Sequence, residues 1–386
     1  MPSPTPEVVI IGAGIGGLCL AQGLRKAGIP VQVYERDTRP GSRWEGYRIA
    51  INADGANALE ACLPDPLWRA FLATSGTGGP FTVLNSRLDP LFQRPEDDDA
   101  RFAVDRATLR RLLLAGLDDV VHFGARFDHY RVEGERVTGT FTDGRTATGD
   151  LLVGADGTGS AVRKQYLPHA AVVDARVGGL AVKLHLTEDT EAWLPERLRT
   201  GMNLVTDGAG VALFTSVYVP PAGARAALEA ATGPQPEIDF APYVLGALNA
   251  DPARLPADLA SLDPDALRAF GEDLIADWHP VLRRMLAESE PASRGGLLFS
   301  AATETPPWPS SRVTVLGDAV HTMPPTGGLG GNAALHDART LVTELAAYPW
   351  PTAVPAYEAE LRAHGYASVR EALTIRDHML GGVAAR

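Results

Sequence analysis

Hydrophobic positions divide the first 35 residues into three pieces. Val8-Val9-Ile10-Ile11 is a continuous apolar run stopped by Gly12, which predicts a buried strand over 7–11. A glycine turn follows, then a helical pattern over 15–27 and a second strand over 30–35. Strand, helix and strand in that order predict the first half of a doubly wound sheet. Helical patterns continue over 53–62 and 66–74, 76–80 reads as a loop, and 81–92 alternates like a strand pair. A short strand from 101 leads into a helix opened by Asp105, a good N-cap, and running to about 116. Several short strands fill 120–153, one pair of them joined by Asp143-Gly144, a strong hairpin signal.

The pattern changes near Val172. Alternation over 177–186, 202–206 and 211–219 predicts an antiparallel sheet, and prolines at 220, 221, 234, 236, 242, 252, 256 and 264 then resist long regular elements. Helical patterns return over 265–276 and 280–289. A strand over 312–316 precedes a glycine-rich turn, a helix from about 332 to 347 and a long amphipathic helix over 356–380. No internal repeat stands out.

Composition narrows the function classes. The 386 residues suggest two or three domains at about 150 each. Apolar residues at 45% and charged residues at 21% suit a globular protein with a sizeable core. Glycine and proline are scattered without a short period, which excludes a collagen-like chain. The balance of 35 basic against 47 acidic residues gives −12, and no basic block offsets it, which argues against a nucleic-acid or anionic-membrane partner. Glu96-Asp97-Asp98-Asp99 reads as a solvated loop tip. Cys19 and Cys62 alone build neither a disulfide framework nor a four-cysteine metal site, and the nine histidines lack ligand spacing, so no metal is expected. The apolar stretch 8–24 lacks a basic n-region and carries five glycines, unlike a signal peptide. No run of 18 uncharged apolar residues spans a membrane, and a soluble, cytoplasmic protein is expected. No oligomeric state follows.

Three segments carry chemistry. Gly12-Ala13-Gly14-Ile15-Gly16-Gly17 fits GxGxxG between a strand and a helix. Gly12 permits the tight turn, Gly14 lets backbone approach a pyrophosphate, and Gly17 lets helix and strand pack closely. Glu35, 18 residues past Gly17, suits a ribose hydroxyl pair. Arg106 and Arg110 lie four apart on the Asp105-capped helix, as a pyrophosphate clamp or as solvated surface arginines. Gly154-Ala155-Asp156-Gly157 ends a strand, either as a ligand-binding edge or as a plain strand–turn–helix corner. The third segment is Gly317-Asp318, His321, Met323-Pro324-Pro325 and Gly327, Gly328, Gly330, Gly331, Asn332. Asp318 at a strand end suits polyol hydroxyls. The glycines admit a flat ring, and the following helix aims its positive end there.

Together these residues resemble the single-component (group A) flavoprotein monooxygenases, built on the para-hydroxybenzoate hydroxylase fold and including the tetracycline-inactivating monooxygenases. The carrying residues are Gly12-x-Gly14-x-x-Gly17 with Glu35, Asp105-Arg106…Arg110, Gly154-Ala155-Asp156-Gly157, and Gly317-Asp318…Pro325…Gly328-x-Gly330-x-Asn332…Asp337-Ala338. Leu329 stands where many members have glutamine. The resemblance implies non-covalent FAD held at its ADP end by Gly12, Gly14, Ile15, Gly16, Gly17, Glu35 and Arg36. It places Arg110 and Arg106 by the pyrophosphate, and Asp156-Gly157 by FAD and nicotinamide. It makes Asp318 the ribityl ligand, puts Gly330, Gly331 and Asn332 at the pyrimidine edge, and counts Gly317, Pro325 and Gly328 among the residues that bind FAD.

The implied fold is α/β: a discontinuous Rossmann-like FAD-binding domain (1–75, 101–172, 299–347), an inserted antiparallel-sheet substrate domain (76–100, 173–298) and a C-terminal helix (348–386). The implied reaction reduces FAD with NAD(P)H, adds O2 at flavin C4a, and passes the distal oxygen of the hydroperoxide to an electron-rich aromatic, phenolic or polyketide-like small molecule between the flavin and the inserted sheet. Arg48 is a candidate to hold an anionic substrate or the flavin edge, and equally a structural ion pair. His321 reads as a turn-stabilising residue before a general base, and His336 as structural. A halogenase or reductase of the same superfamily, or a non-catalytic FAD-binding scaffold, keeps the same motifs. No Trp-x-Trp-x-Ile-Pro segment points to a halogenase.

Overall fold

A computed structural model describes residues 6–41, 47–94 and 102–381. Five parallel strands form its first sheet, in the order Val313–Val315, Leu151–Gly154, Val8–Ile11, Val31–Tyr34, Val121–His122. Helices cover such a sheet on both faces, which is why Val8–Ile11 and Leu151–Gly154 are apolar throughout and fully buried. The helices Ile15–Lys26, Ala53–Cys62 and Leu329–Ala347 pack on one another beside it.

A second sheet has seven strands in the order Gly295–Ala302, Val172–His185, Tyr243–Ala250, Val211–Tyr218, Met202–Thr206, Phe81–Asn85, Pro90–Arg94. Its pairs are antiparallel except Phe81–Asn85 with Met202–Thr206, which run parallel and correct the all-antiparallel expectation. These two strands come from chain segments far apart, so no hairpin forces them to oppose. One face packs Leu180, Val182, Leu213, Val244 and Leu248 against Leu282, Met285 and Leu286 of the helix Pro280–Ala287.

Among the described residues, two small antiparallel sheets complete the strands. One joins Arg48–Ile51, Phe102–Asp105 and Gly76–Thr77, so part of the expected 76–80 loop is a short strand. The other is a meander of Phe127–Glu133, Arg136–Phe141 and Thr146–Gly149, whose last turn carries Asp143-Gly144 with Gly144 at φ +86°. The strands Tyr243–Ala250 and Gly295–Ala302 and the helix Ala224–Thr232 were not expected from the pattern. Strand Val172–His185 begins five residues before the alternation over 177–186 does. The terminal helix is Trp350–Gly381, six residues longer at its start than the pattern suggests, with Pro355 in its first turns. The acidic run 96–99 lies outside the described residues. Among the described residues no helix is long and apolar enough to cross a membrane.

Candidate active site

The turn after Val8–Ile11 explains its glycines one by one. Gly12 sits at φ +111°, and a Cβ there would lie 2.3 Å from the Ala155 carbonyl oxygen. A Cβ on Gly17 would lie 2.1 Å from the Gly12 oxygen. At Gly14, by contrast, nothing lies within 4 Å. Backbone N–H groups at the head of Ile15–Lys26 therefore face open space that a group carrying negative charge can fill. Ile15 and Gly16 are buried beneath, where a Gly16 Cβ would meet Leu316 and Ala334.

Two buried charged side chains hold this loop. Glu35 accepts the Ala13 N–H at 2.7 Å on one carboxylate oxygen and the Asp37 N–H at 2.9 Å on the other. Arg110 donates from Nε to the Ala13 carbonyl at 3.1 Å, its side chain buried. Arg106, one helical turn earlier, is half-buried and lies over the Tyr47 ring at 5.5 Å. Arg36 is exposed just beyond its strand. Asp105 caps the helix Arg106–Leu114 through the Thr108 N–H, a contact of about 1 kcal/mol.

Asp156 spends its carboxylate on the head of the helix Ala161–Tyr166, accepting from the Ser160 hydroxyl and the Ala161 and Val162 N–H groups. That is the geometry of the strand–turn–helix corner. Gly157 at φ +76° makes its turn, with open space around it. The corner lies against Gly12, where a Cβ would also come within 3.1 Å of the Asp156 Cα.

Asp318 opens a single turn of helix, Asp318–His321, at the end of Val313–Val315, behind Gly317 at φ +60°. Protein atoms crowd its carboxyl on most sides and this burial raises its pKa, while the charges of His321 and Arg106 pull the other way. Its surface nevertheless remains open to solvent, which puts it on the floor of a crevice. Pro325 and Gly328 line the same segment, exposed, with Gly328 at φ +67°. Helix Leu329–Ala347 begins three residues earlier than expected, because the left-handed Gly328 supplies its cap. Gly330 and Gly331 therefore sit in its first turn; a Cβ at Gly331 would meet nothing within 4 Å, one at Gly330 would lie 3.6 Å from an Asp318 oxygen. Asn332 accepts from the Asn52 N–H at 3.0 Å and donates to the Ala50 carbonyl at 2.9 Å, pinning this helix head to the strand Arg48–Ile51.

The opposite wall is the second face of the seven-stranded sheet. Register puts Leu204 beside Phe214, Phe214 beside Ala247, and Ala247 beside Ala181. Leu204, Phe214 and Ala247 are only half-buried, and Leu204 packs in one cluster with Met323 and Leu329. Polar groups on this face gather at one end. Buried Lys183 lies 4.3 Å from the Tyr243 ring centre, and the Tyr243 hydroxyl donates to Asp105 at 2.9 Å. Burial raises the Asp105 pKa, against the Thr108 N–H, the Tyr243 hydroxyl and Lys183. Arg48 stands opposite Asp105 in the strand pair, buried, and donates to the Gly78 carbonyl at 3.2 Å. The sequence pattern placed the pocket against this sheet, through the alternation over 177–186, 202–206 and 211–219, but singled out none of its lining residues, which are ordinary apolar ones.

The arrangement is a crevice with open-backbone glycines, a helix head and a carboxylate on one side and an apolar sheet on the other. It fits a long phosphate-containing cofactor ending in a flat ring. Comparison with known proteins decides which. An FAD-dependent urate hydroxylase of Klebsiella pneumoniae is 30% identical over 342 residues, covering 87% of this chain and 80% of its own length. The chain belongs to the FAD-dependent monooxygenases.

Other members of this monooxygenase family agree. The FAD binding domain family matches residues 270–372, and the NAD(P)-binding Rossmann-like domain family matches residues 10–73. A dual O-methyltransferase/FAD-dependent monooxygenase of Cercospora beticola is 34% identical over 92% of this chain. The chain spans 44% of that relative's length. In structure, a Photorhabdus luminescens protein described as an FAD-containing monooxygenase superposes with a TM-score of 0.88 at 32% identity, over 98% of this chain and 100% of that one. Klebsiella pneumoniae HpxO complexed with FAD and uric acid gives 0.78 at 25%, over 97% and 89%. FAD is the cofactor, as it is in these relatives.

Proposed function

We propose that this chain takes electrons from NAD(P)H and transfers one oxygen atom of O2 to an electron-rich aromatic, phenolic or polyketide-like small molecule. The observation that carries the reading is the crevice itself: a cofactor-compatible wall of Gly14, Asp318 and the 330–332 helix head faces an apolar sheet at Leu204, Phe214 and Ala247. The relatives that support it include the urate hydroxylase and a 3-amino-4-hydroxybenzoate 2-monooxygenase of Streptomyces cremeus, 30% identical over 89% of this chain.

Bound FAD supplies the redox chemistry. The rest is the work of this chain. In this reading the helix head at Gly12–Gly17, with Arg110 behind Ala13, holds the pyrophosphate. Glu35 takes ribose hydroxyls, and Asp318 takes ribityl hydroxyls. N–H groups at 330–332 face the pyrimidine edge and favour negative charge there. The apolar sheet excludes water and lays a flat substrate against the ring. Arg48, already committed to backbone and standing opposite Asp105, orients the polar end of the crevice. The segments 1–75, 101–172 and 299–347 form the FAD domain of this reading, and 76–100 with 173–298 the substrate domain. The 298/299 boundary falls inside the strand Gly295–Ala302.

Purified protein tests the proposal directly. NAD(P)H oxidation should be stimulated by a phenolic or polyketide substrate, with a product heavier by one oxygen. Flavin that no pyridine nucleotide reduces, over a wide ligand panel, overturns it. Asp318→Ala should give largely colourless protein; normal FAD occupancy removes the assignment of that carboxylate.

A further inference from the structure

Asp337 and His321 lie behind the crevice wall, outside any contact with its open space. Both side chains are essentially inaccessible, at 0% and 1% exposure. One Asp337 oxygen, Oδ2, takes the Gly317 N–H at 2.8 Å and His321 Nε2 at 2.6 Å. Gly317 precedes Asp318 and His321 ends its turn of helix, so a single carboxylate oxygen clamps both ends of the segment that presents Asp318. Asp337 itself stands five residues beyond Asn332 on Leu329–Ala347. The clamp therefore joins the two elements that face the crevice.

The C-terminal helix fixes the imidazole from its other side. A Cβ at Gly365 would lie 2.4 Å from His321 Cδ2, 2.9 Å from Cγ and 3.2 Å from Cβ. Bare helix backbone rests on the ring. That helix has no room to retreat. The Tyr357 hydroxyl donates to the Val315 carbonyl at 2.8 Å, and buried Glu358 accepts from Thr314 at 2.9 Å, both just before Gly317. A side chain at 365 must displace the imidazole.

We propose that His321 and Asp337 are a positioning pair for FAD, acting through Asp318, with Gly365 setting the seat of the imidazole. The pair works by holding Asp318 at the height where its carboxylate meets the cofactor. Electrostatics favour the same arrangement: burial opposes a charged imidazole, but Asp337 and Asp318 outweigh it and raise the His321 pKa. Its burial removes His321 from any part as a base toward substrate. The proposal rests on Asp318 being an FAD ligand, and the test separates the two.

The experiment is a titration of refolded or deflavinated apoprotein with FAD, read by flavin fluorescence, alongside melting of each apoprotein. His321→Ala should weaken FAD binding about tenfold, the scale of one lost charge-assisted hydrogen bond. His321→Gln keeps a nitrogen near Nε2 and should recover most of the affinity. Gly365→Ala should weaken binding in the native background and add nothing in the His321→Ala background, because its effect passes through the ring. His321→Ala apoprotein should also melt earlier, because Asp337 is left buried without its partner, so each FAD titration is run at a temperature where the apoprotein is folded. Unchanged affinity in folded His321→Ala or Gly365→Ala protein overturns the proposal, as does additivity of the two. If His321→Ala does not fold, Gly365→Ala against His321→Gln decides it. Full FAD affinity in Asp318→Ala would instead remove the Asp318 assignment.

Discussion

Glu35 serves the glycine loop with both of its oxygens, each bonded to one backbone N–H and each keeping a second lone pair. The residue legible as a ribose partner is thus also the splint that holds Ala13. Glu35→Ala leaves the Ala13 N–H without its acceptor and removes the hydroxyl partner together. It should weaken FAD binding by about tenfold or more while leaving turnover at saturating FAD nearly native, checked by fluorescence titration and steady-state rates. Equal loss of turnover at saturating FAD would contradict that division. Glu35 and Asp318 could be singled out because each ends a strand beside a glycine turn, and Arg110 only through the family resemblance, since its spacing alone left a surface arginine equally open. Asp156 was legible as a corner and, through the family resemblance, as a residue beside the cofactor; three local donors meet its carboxylate at the corner.

Between the elements, the helices Leu329–Ala347 and Trp350–Gly381 meet through two histidines. His336 and His364 stack with ring centres 4.0 Å apart and planes 6° apart. Burial lowers the His364 pKa first, and the neighbouring His336 and His321 lower it too, against Asp337 and Asp54. A base with a lowered folded pKa binds fewer protons in the native state than in the unfolded one, so below the ordinary histidine value stability falls as pH falls. His321, whose pKa is raised, has the opposite sign: its contribution is complete at low pH and is lost as pH climbs through its folded value. The His364 contribution should therefore destabilise the apoprotein as pH falls below about 6.5, so His364→Phe, which stacks without charging, should melt with less loss on acidification than the native chain. A wild-type slope in the variant would show that other groups dominate. Elements themselves were read unevenly. Tyr243–Ala250 is covered on both faces along most of its length and so shows no alternation. Ala224–Thr232 fits between Pro221 and Pro234, which delimit a helix rather than forbid one.

Across the whole molecule, the crevice walls come from residues near 12, 110, 214, 318 and 332, and discontinuity was legible because the glycine motifs are so far apart in sequence. The identity of the substrate was not. An apolar sheet face selects by shape, and Leu204, Phe214 and Ala247 fix that shape only once their strands are paired. The sheet order has a further consequence. Val313–Val315 is an outer strand of the five, beside Leu151–Gly154, although it is the last of them along the chain. During synthesis a ribosome must deliver more than three hundred residues before Asp318 can join Gly14. The amino-terminal half will meet cellular FAD long before it can retain it. A fragment ending at residue 298 should not retain flavin through gel filtration. The intact chain should melt later as FAD is added, by about 2.7 kcal/mol at a hundredfold excess over its Kd. Retention of FAD should therefore report that the strand leading to Asp318 has joined the sheet that carries Gly14.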